Sequence, residues 1–581
     1  MNFDFIGRVC RLAALGAILL GSASCVKVNE ELGGSFIPVD QRWKVVTPDA
    51  VALENIQLHA ADSLSAYSSS RFSIGSINSP LFGKSINSTS FTLVPILDSI
   101  DFGTNIRINQ FHLTAVSNSV SAYDESQKNI IQNIFVSELK MPLDTNTLYG
   151  GTFMIETNRE KYLDTKNLIT DGIPTYDGGD SLSFDFSPEF TAGFIERIKG
   201  LKMPIDSMNL YLKAVPGIYI TTDAPENVGG RVNVFDLELE TSENYISGNY
   251  AELKITADYG DRKDVDTSFL FMLGATNPMK MDEKGNIEYP SQFAFNTSNH
   301  DTSIDFIQSW ENGDKKKLYV EGGFGLKPVV KAREIKEIVT KMMTEAGVRN
   351  FKEVVVNKAS LIFPYEMPDD YLEMDKFPTV LTPTVRLRSE DGGYITYAGL
   401  SDSSIASEDQ GDINRSTCTY SPDISHHVQQ IINLEDNSKI DNYDIWMLIM
   451  HDEVIEEESS SSSSMYDDYY NSLLYSSYYN NMMYGGYGGY GGYGMGGYGY
   501  GMGGYGYGMG GYGYDMYGYG YDNYYNYMMM AAMSSSYSTS ETSERILDKE
   551  RYYNGVLNGP GADGAKPSLK IVFSVPMAAE K

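Results

Sequence analysis

Strict alternation of apolar and polar residues, repeated in short runs, limits what this chain can become more than any other feature. Leu182, Phe184 and Phe186 alternate, as do Leu210, Leu212 and Ala214, and Leu253, Ile255, Ala257 and Tyr259. Side chains two positions apart share one face of a strand, so each run predicts a strand half buried against a core. Ile106, Ile108, Phe111, Leu113 and Ala115 form a longer run whose phase slips once. RVNVFDLELE slips between Val234 and Leu237, as at a β-bulge. Gly, Pro, Asp and Asn separate these runs, which predicts a mainly β chain of antiparallel sandwiches and not βαβ units.

Two short amphipathic stretches interrupt the strands in the same way. SPEFTAGFIERI begins at Ser187 and SPDISHHVQQII at Ser421. In each, serine suits the N-cap, proline the first turn, and an acid the positive helix end. Phe190, Phe194 and Ile198 match Ile424, Val428 and Ile432 at steps of four, so each predicted helix buries one stripe. A strand precedes each at a distance (IRINQFHLTAV, EVVVNKASLIF), and another follows (NLYLKAV from Asn209, DIWMLIM from Asp444). The repeated order predicts two tandem, jelly-roll-like copies of one sandwich module. A longer helix is expected in KAREIKEIVTKMMTEAG, with Ile335, Ile338, Val339, Met342 and Met343 facing a core and Gly347 ending it.

Between about Glu456 and Ser543 the composition changes to YGGYGGYGGYGMGGYGYGMGG and similar text, with almost no branched aliphatic residues. Such a segment buries too little apolar surface to offset its ordering entropy, so disorder is expected. Strand-like text flanks it (DIWMLIM before, LKIVFSV after), which makes it an insert in the second module. Folding tolerates such an insert because loop-closure entropy grows only logarithmically with length.

At the N-terminus Arg8 and Arg11 precede the apolar run Leu12–Leu20 and the small residues before Cys25. That order is a secretory signal, too short to cross a bilayer. Cysteine directly after small residues resembles a bacterial lipoprotein cleavage site, so Cys25 is the candidate lipidation residue, although Ser22 stands where leucine is usual. Several acyl chains on one residue anchor stably where one does not. The boundaries expected are a signal peptide over 1–24, anchor and tether over 25–70, and a first module over 71–262. The second module takes 263–455 plus 544–581, around an insert over 456–543. With Cys10 in the signal and Cys25 acylated, only Cys418 is left, so no internal disulfide or cysteine zinc site forms; a buried thiol is expected there.

The net charge of −32, from 77 acids and 45 bases, disfavours nucleic acid and anionic membrane surfaces as partners. Gly83-Lys84-Ser85 lacks the earlier glycine of a phosphate-binding loop, since Asn78 stands there, and predicts a turn before a strand. The six histidines (His59, His112, His300, His426, His427 and His451) form no two-histidine helical zinc motif, and no nucleophile elbow is present. Asp369-Asp370 and Asp467-Asp468 lack the glycine-bearing loop of an EF-hand. No catalytic, cofactor-binding or metal residue is assigned, and no cofactor is expected.

ELGGSFIPVD after the cysteine, IGSINSPLFGKS, QNIFVSEL, LYVEGGFGLK (Leu318–Lys327), VNKASLIF and LKIVFSV together resemble the Bacteroidota outer-membrane lipoproteins that carry the 4270 domain of unknown function. The resemblance implies an outer-membrane lipoprotein facing outward, with no family catalytic residues to carry over. Asp62-Ser63-Leu64, Asp98-Ser99-Ile100, Asp180-Ser181-Leu182 and Asp206-Ser207-Met208 look like the O-glycosylation pattern of that phylum. The expected function is a non-enzymatic binding or scaffolding body, held to the membrane by lipid and partnered by outer-membrane proteins. The alternatives are a glycan-binding or adhesive module using the tyrosines, and a carbohydrate-active enzyme.

Overall fold

A computed structural model describes residues 43–576, apart from 62–63, 65, 69, 143–158, 203–204, 206, 238, 242–245, 282–286, 289, 302–303, 349, 389–393, 403–409 and 456–541. The protein is mainly β, built from antiparallel sheets around two apolar cores. The first core lies inside one curled sheet. Thr104–Ala122 runs between Ser181–Asp185 and Tyr250–Tyr259, and its far end joins Gly229–Asp236. The sheet continues through Arg71–Ser79 and Gly83–Phe91 to Ile218–Thr222 and Gln132–Leu139. Phe72, Phe111, Phe194, Phe271, Leu253 and Ile220 are fully buried in this core.

Gly75 and Arg231 fix the middle of that sheet. A Cβ on Gly75, whose φ is 152°, would stand 2.2 Å from the Arg231 carbonyl oxygen, so only glycine lets the strands meet there. The fully buried Arg231 guanidinium donates to the carbonyls of Lys128, Ile130, Asp177 and Tyr176, and its Nε to Asn233. Every arm of the guanidinium is used, which is the condition for keeping it buried.

The second core lies between two six-stranded sheets and repeats the wiring of the first. In the first, Ile218–Thr222 sits between Gln132–Leu139 and Gly83–Phe91; in the second, Ile445–Ile455 sits between Val380–Arg388 and Leu326–Val330. Likewise Tyr250–Tyr259, Thr104–Ala122 and Ser181–Asp185 correspond to Ser568–Pro576, Val355–Pro364 and Thr419–Tyr420. The strands occur in the same chain order in both halves, with a helix at the same point. Two details match residue by residue. The long strand bulges at Asn109 against Tyr250–Tyr259, and its counterpart bulges at Asn357 against Ser568–Pro576. Phe186 N–H donates to the Phe111 carbonyl at 2.8 Å, and Ile424 N–H to the Ala359 carbonyl at 2.8 Å. The phase slip expected within 106–115 is therefore a register shift. Near Val234 the pairing also shifts, but the extra residue is Asn118 of the partner strand, and Gly229–Asp236 pairs unbroken with Arg71–Ser79.

The helices follow the pattern with one displacement. Pro188–Lys199 is capped as expected: Ser187 Oγ accepts from Phe190 N–H, and Phe194, Ile195 and Ile198 are buried. The second helix is Ser425–Asn433 and does not begin at Ser421. The equivalent of Ser187 is Ser425, since each follows the matching residue Phe186 or Ile424. Asp402 supplies the capping carboxylate, accepting from His426 N–H at 2.6 Å and His427 N–H at 3.1 Å. Ala332–Glu345 is the long helix, and it closes as a Schellman turn: Val348 N–H reaches the Met343 carbonyl and Gly347 N–H that of Thr344, with φ of 80° at Gly347.

Three expectations need correction. Leu210, Leu212 and Ala214 lie in a short helix, Met208–Ala214; the strand in that place is Ile218–Thr222. Tyr211, not the alternating pair, is the anchor: it is fully buried, and its hydroxyl donates to the Leu93 carbonyl at 2.6 Å. The boundary at 262/263 also misses the sheets. Arg262–Leu273 and Ala294–His300 pair with the first core, whereas Trp43–Val46 and Gln57–Ala60, assigned to the tether, pair in the second. Glu334 holds that N-terminal segment by accepting from Glu54 N–H and Asn55 N–H. Lastly, Cys418 is free but half exposed, at a φ of 51°.

A candidate functional site at the seam of the two cores

A chain of buried polar residues lies where the cores touch. Ala294–His300 pairs with Gly83–Phe91, and alternation turns Ser298 and His300 to one side. Across from them Lys317–Glu321 ends in the loop Glu321–Gly325, where a Cβ on Gly322 would meet the Arg551 carbonyl at 2.6 Å. His300 Nδ1 lies 2.7 Å from Glu321 Oε1, and His300 Nε2 lies 2.8 Å from Ser298 Oγ. The order serine, histidine, glutamate is that of a hydrolase triad, with a glutamate side chain only 2% exposed.

The serine is also bound on its other side. Asn87 Nδ2 donates to the Glu550 carbonyl at 3.1 Å, which fixes the amide and leaves Asn87 Oδ1 as an acceptor. Ser298 Oγ, at 2.9 Å, gives its single proton to that oxygen. The serine hydroxyl therefore sits between Asn87 Oδ1 and His300 Nε2. The depression beside it, lined by Ser73, Asn87, Asn296, Ser298, Phe324 and Lys549, is too shallow to hold a small molecule.

Burial pushes the Glu321 carboxyl up, but His300, the Leu326 N–H and Lys327 outweigh it and leave its pKa below the ordinary value. Lys327 is fully buried, and Nζ donates to the carbonyls of Glu321, Gly323 and Gly325. Burial lowers its pKa to about 7 against the opposing pull of Glu321.

The chain that returns after residue 541 completes the seam. Thr542–Leu547 pairs with Ile445–Ile455, and the next turn is organised by Asp548. Its carboxylate accepts from Arg551 Nη1 at 2.9 Å and the Tyr553 hydroxyl at 2.7 Å. Tyr552 packs in a small cluster with Ile77 and Val232 of the first sheet, and Lys376 lies 4.1 Å over the Tyr123 ring. These contacts join the two halves through hydrogen bonds, one cation–ring contact and one apolar plug.

Of the residues singled out in the sequence, Cys25, Asp467-Asp468 and the Tyr-Gly-Met text up to residue 541 lie outside the described residues. Ser99 and Ser181 are exposed and Ser207 is half-buried; Asp62, Ser63 and Asp206 are not described. Asp370 caps a short turn through Leu372 N–H. The paired histidines divide: His426 bonds to Ser401, while His427 is fully buried with Nε2 2.8 Å from the Tyr443 carbonyl. Among the described residues no three His, Cys, Asp or Glu side chains gather as a metal site, and no helix is long and apolar enough to cross a membrane. Sequence reading missed His300 and Glu321; Ser298-Asn299-His300 shows the strand spacing, but nothing in the text brings Glu321 to it. Compared with known family models, curated proteins and solved structures, the chain matches none.

Proposed function

We propose that this chain is an envelope lipoprotein, anchored through Cys25, whose two-core body works as a non-enzymatic binding or scaffolding component among outer-membrane proteins. The observation that carries the reading is the cemented seam. A hinged enzyme keeps a cleft open between its domains, whereas here that junction is filled by Glu321, His300, Asn87, Asp548 and Tyr552. The body also presents the Tyr-Gly-Met text from a fixed base. Ile455 and Thr542 are register partners, and Arg545 forks to Asp452 and Asp412 just below them. The base holds the two ends of the insert side by side, as suits an arm displayed to a partner.

Purification of the tagged protein from gently solubilised outer membranes tests this. A stoichiometric membrane-protein partner is expected, weakened when 456–541 is deleted. A consistently solitary protein overturns the reading.

A further inference from the structure

The outer face of the sheet that ends in Trp43–Val46 differs from the rest of the molecule. Among the described residues Trp43–Val46 is the outermost strand of that sheet, and its register sets Val45 beside Ser574 and Ser574 beside Val355. Cross-strand partners point to the same side, so Trp43, Val45 and Val355 share the face turned away from the core, where they are 51%, 60% and 40% exposed. Val572, Lys570 and Lys358 continue the same face, and both lysines are exposed. The outward positions of the three strands (43, 45; 568, 570, 572, 574; 355, 358, 360, 362) hold no carboxylate, in a chain with 77 acids.

The chain that leads into this face starts at the proposed anchor. Eighteen positions (43 − 25) separate Cys25 from Trp43, a reach of about 60 Å if fully extended. An exposed tryptophan with valines beside it and lysines behind it has the chemistry of a bilayer interface, with indole at headgroup level and cations against phosphate. We propose that this face, centred on Trp43, Val45 and Val355, seats on the lipid surface to which Cys25 is tethered, so that the body lies against the membrane. The inference rests on the anchor reading and adds an orientation to it.

The three tryptophans make the test specific, because Trp310 and Trp446 are only 8% and 6% exposed. The full-length mature protein is reconstituted into phosphatidylethanolamine vesicles with a minority of phosphatidylglycerol and brominated acyl chains. Flotation reports anchoring, and quenching of tryptophan emission by bromine reports contact of the face. The expected result is flotation with one quenched component that disappears in Trp43→Phe. A Val45→Asp, Val355→Asp double variant should float undiminished yet lose at least half of that quenching. Flotation without quenching overturns the seated face and leaves the anchor standing, and so does a face covered by a second copy. Failure to float overturns the anchor and the inference with it.

Discussion

The side-chain amide of Asn87 donates to the carbonyl oxygen of Glu550 at 3.1 Å, across 463 positions of chain. That bond carries the polar chain His300–Ser298–Asn87 from one core to the strap that closes the other. Removing the carboxylate at its far end leaves His300 Nδ1 and the Leu326 N–H without their partner in a buried place. Glu321→Ala should therefore lower stability by about 3–5 kcal/mol, the range for breaking a buried pair from one side. Thermal unfolding of the variant checks this, and a loss below that of an ordinary surface substitution would refute the pairing.

His427 sets a separate acid dependence. Burial holds its pKa at about 4, against an ordinary value of 6.5. Between those values the unfolded chain takes up a proton that the folded chain does not. The contribution is complete above 6.5 and disappears as the pH falls towards 4, amounting to about 3 kcal/mol. Denaturant titrations across that window should show a steeper loss for the native protein than for His427→Leu.

Gly75→Ala should be among the most damaging small substitutions. The added methyl would have to occupy the place of the Arg231 carbonyl, 2.2 Å away, at a backbone φ of 152°. Strand separation at that point also disturbs the Arg231 cradle. Failure to accumulate as folded protein, or a fall in melting temperature of many degrees, is expected; a native melting curve would contradict the register.

Replacing residues 456–541 by Asn-Gly should leave the body intact. The replaced segment is 86 residues (541 − 456 + 1), and its flanking residues Ile455 and Thr542 already face one another. A two-residue turn suits such a hairpin and relieves up to about 3 kcal/mol of loop-closure entropy. The melting temperature should stay level or rise, and a fall would mean that the insert supports the fold.

Alternation made the strands legible, because Leu182, Phe184, Leu253 and Ile255 each have one face in a core. It failed at Leu210 and Leu212, where two alternating leucines sit on a short helix that a neighbouring tyrosine anchors. The repeat was visible in the two helical stripes, yet its alignment was displaced by four residues, from Ser425 to Ser421. A shift of one helical turn keeps every fourth residue apolar, so the stripe cannot reveal it; the hydrogen bonds of Phe186 and Ile424 can. The seam was hidden for a different reason. His300, Glu321, Asn87 and Glu550 are brought together by sheet pairing between distant segments, and no local pattern encodes such a meeting.

The pairing of Trp43 with Pro576 means that the opening and closing strands of the described body share one ladder. A polypeptide made from its N-terminus carries its first strand unmatched until the final one arrives. The half that holds both ends can complete its sheet only after its last strand has been made, so its folding waits on nearly the whole chain.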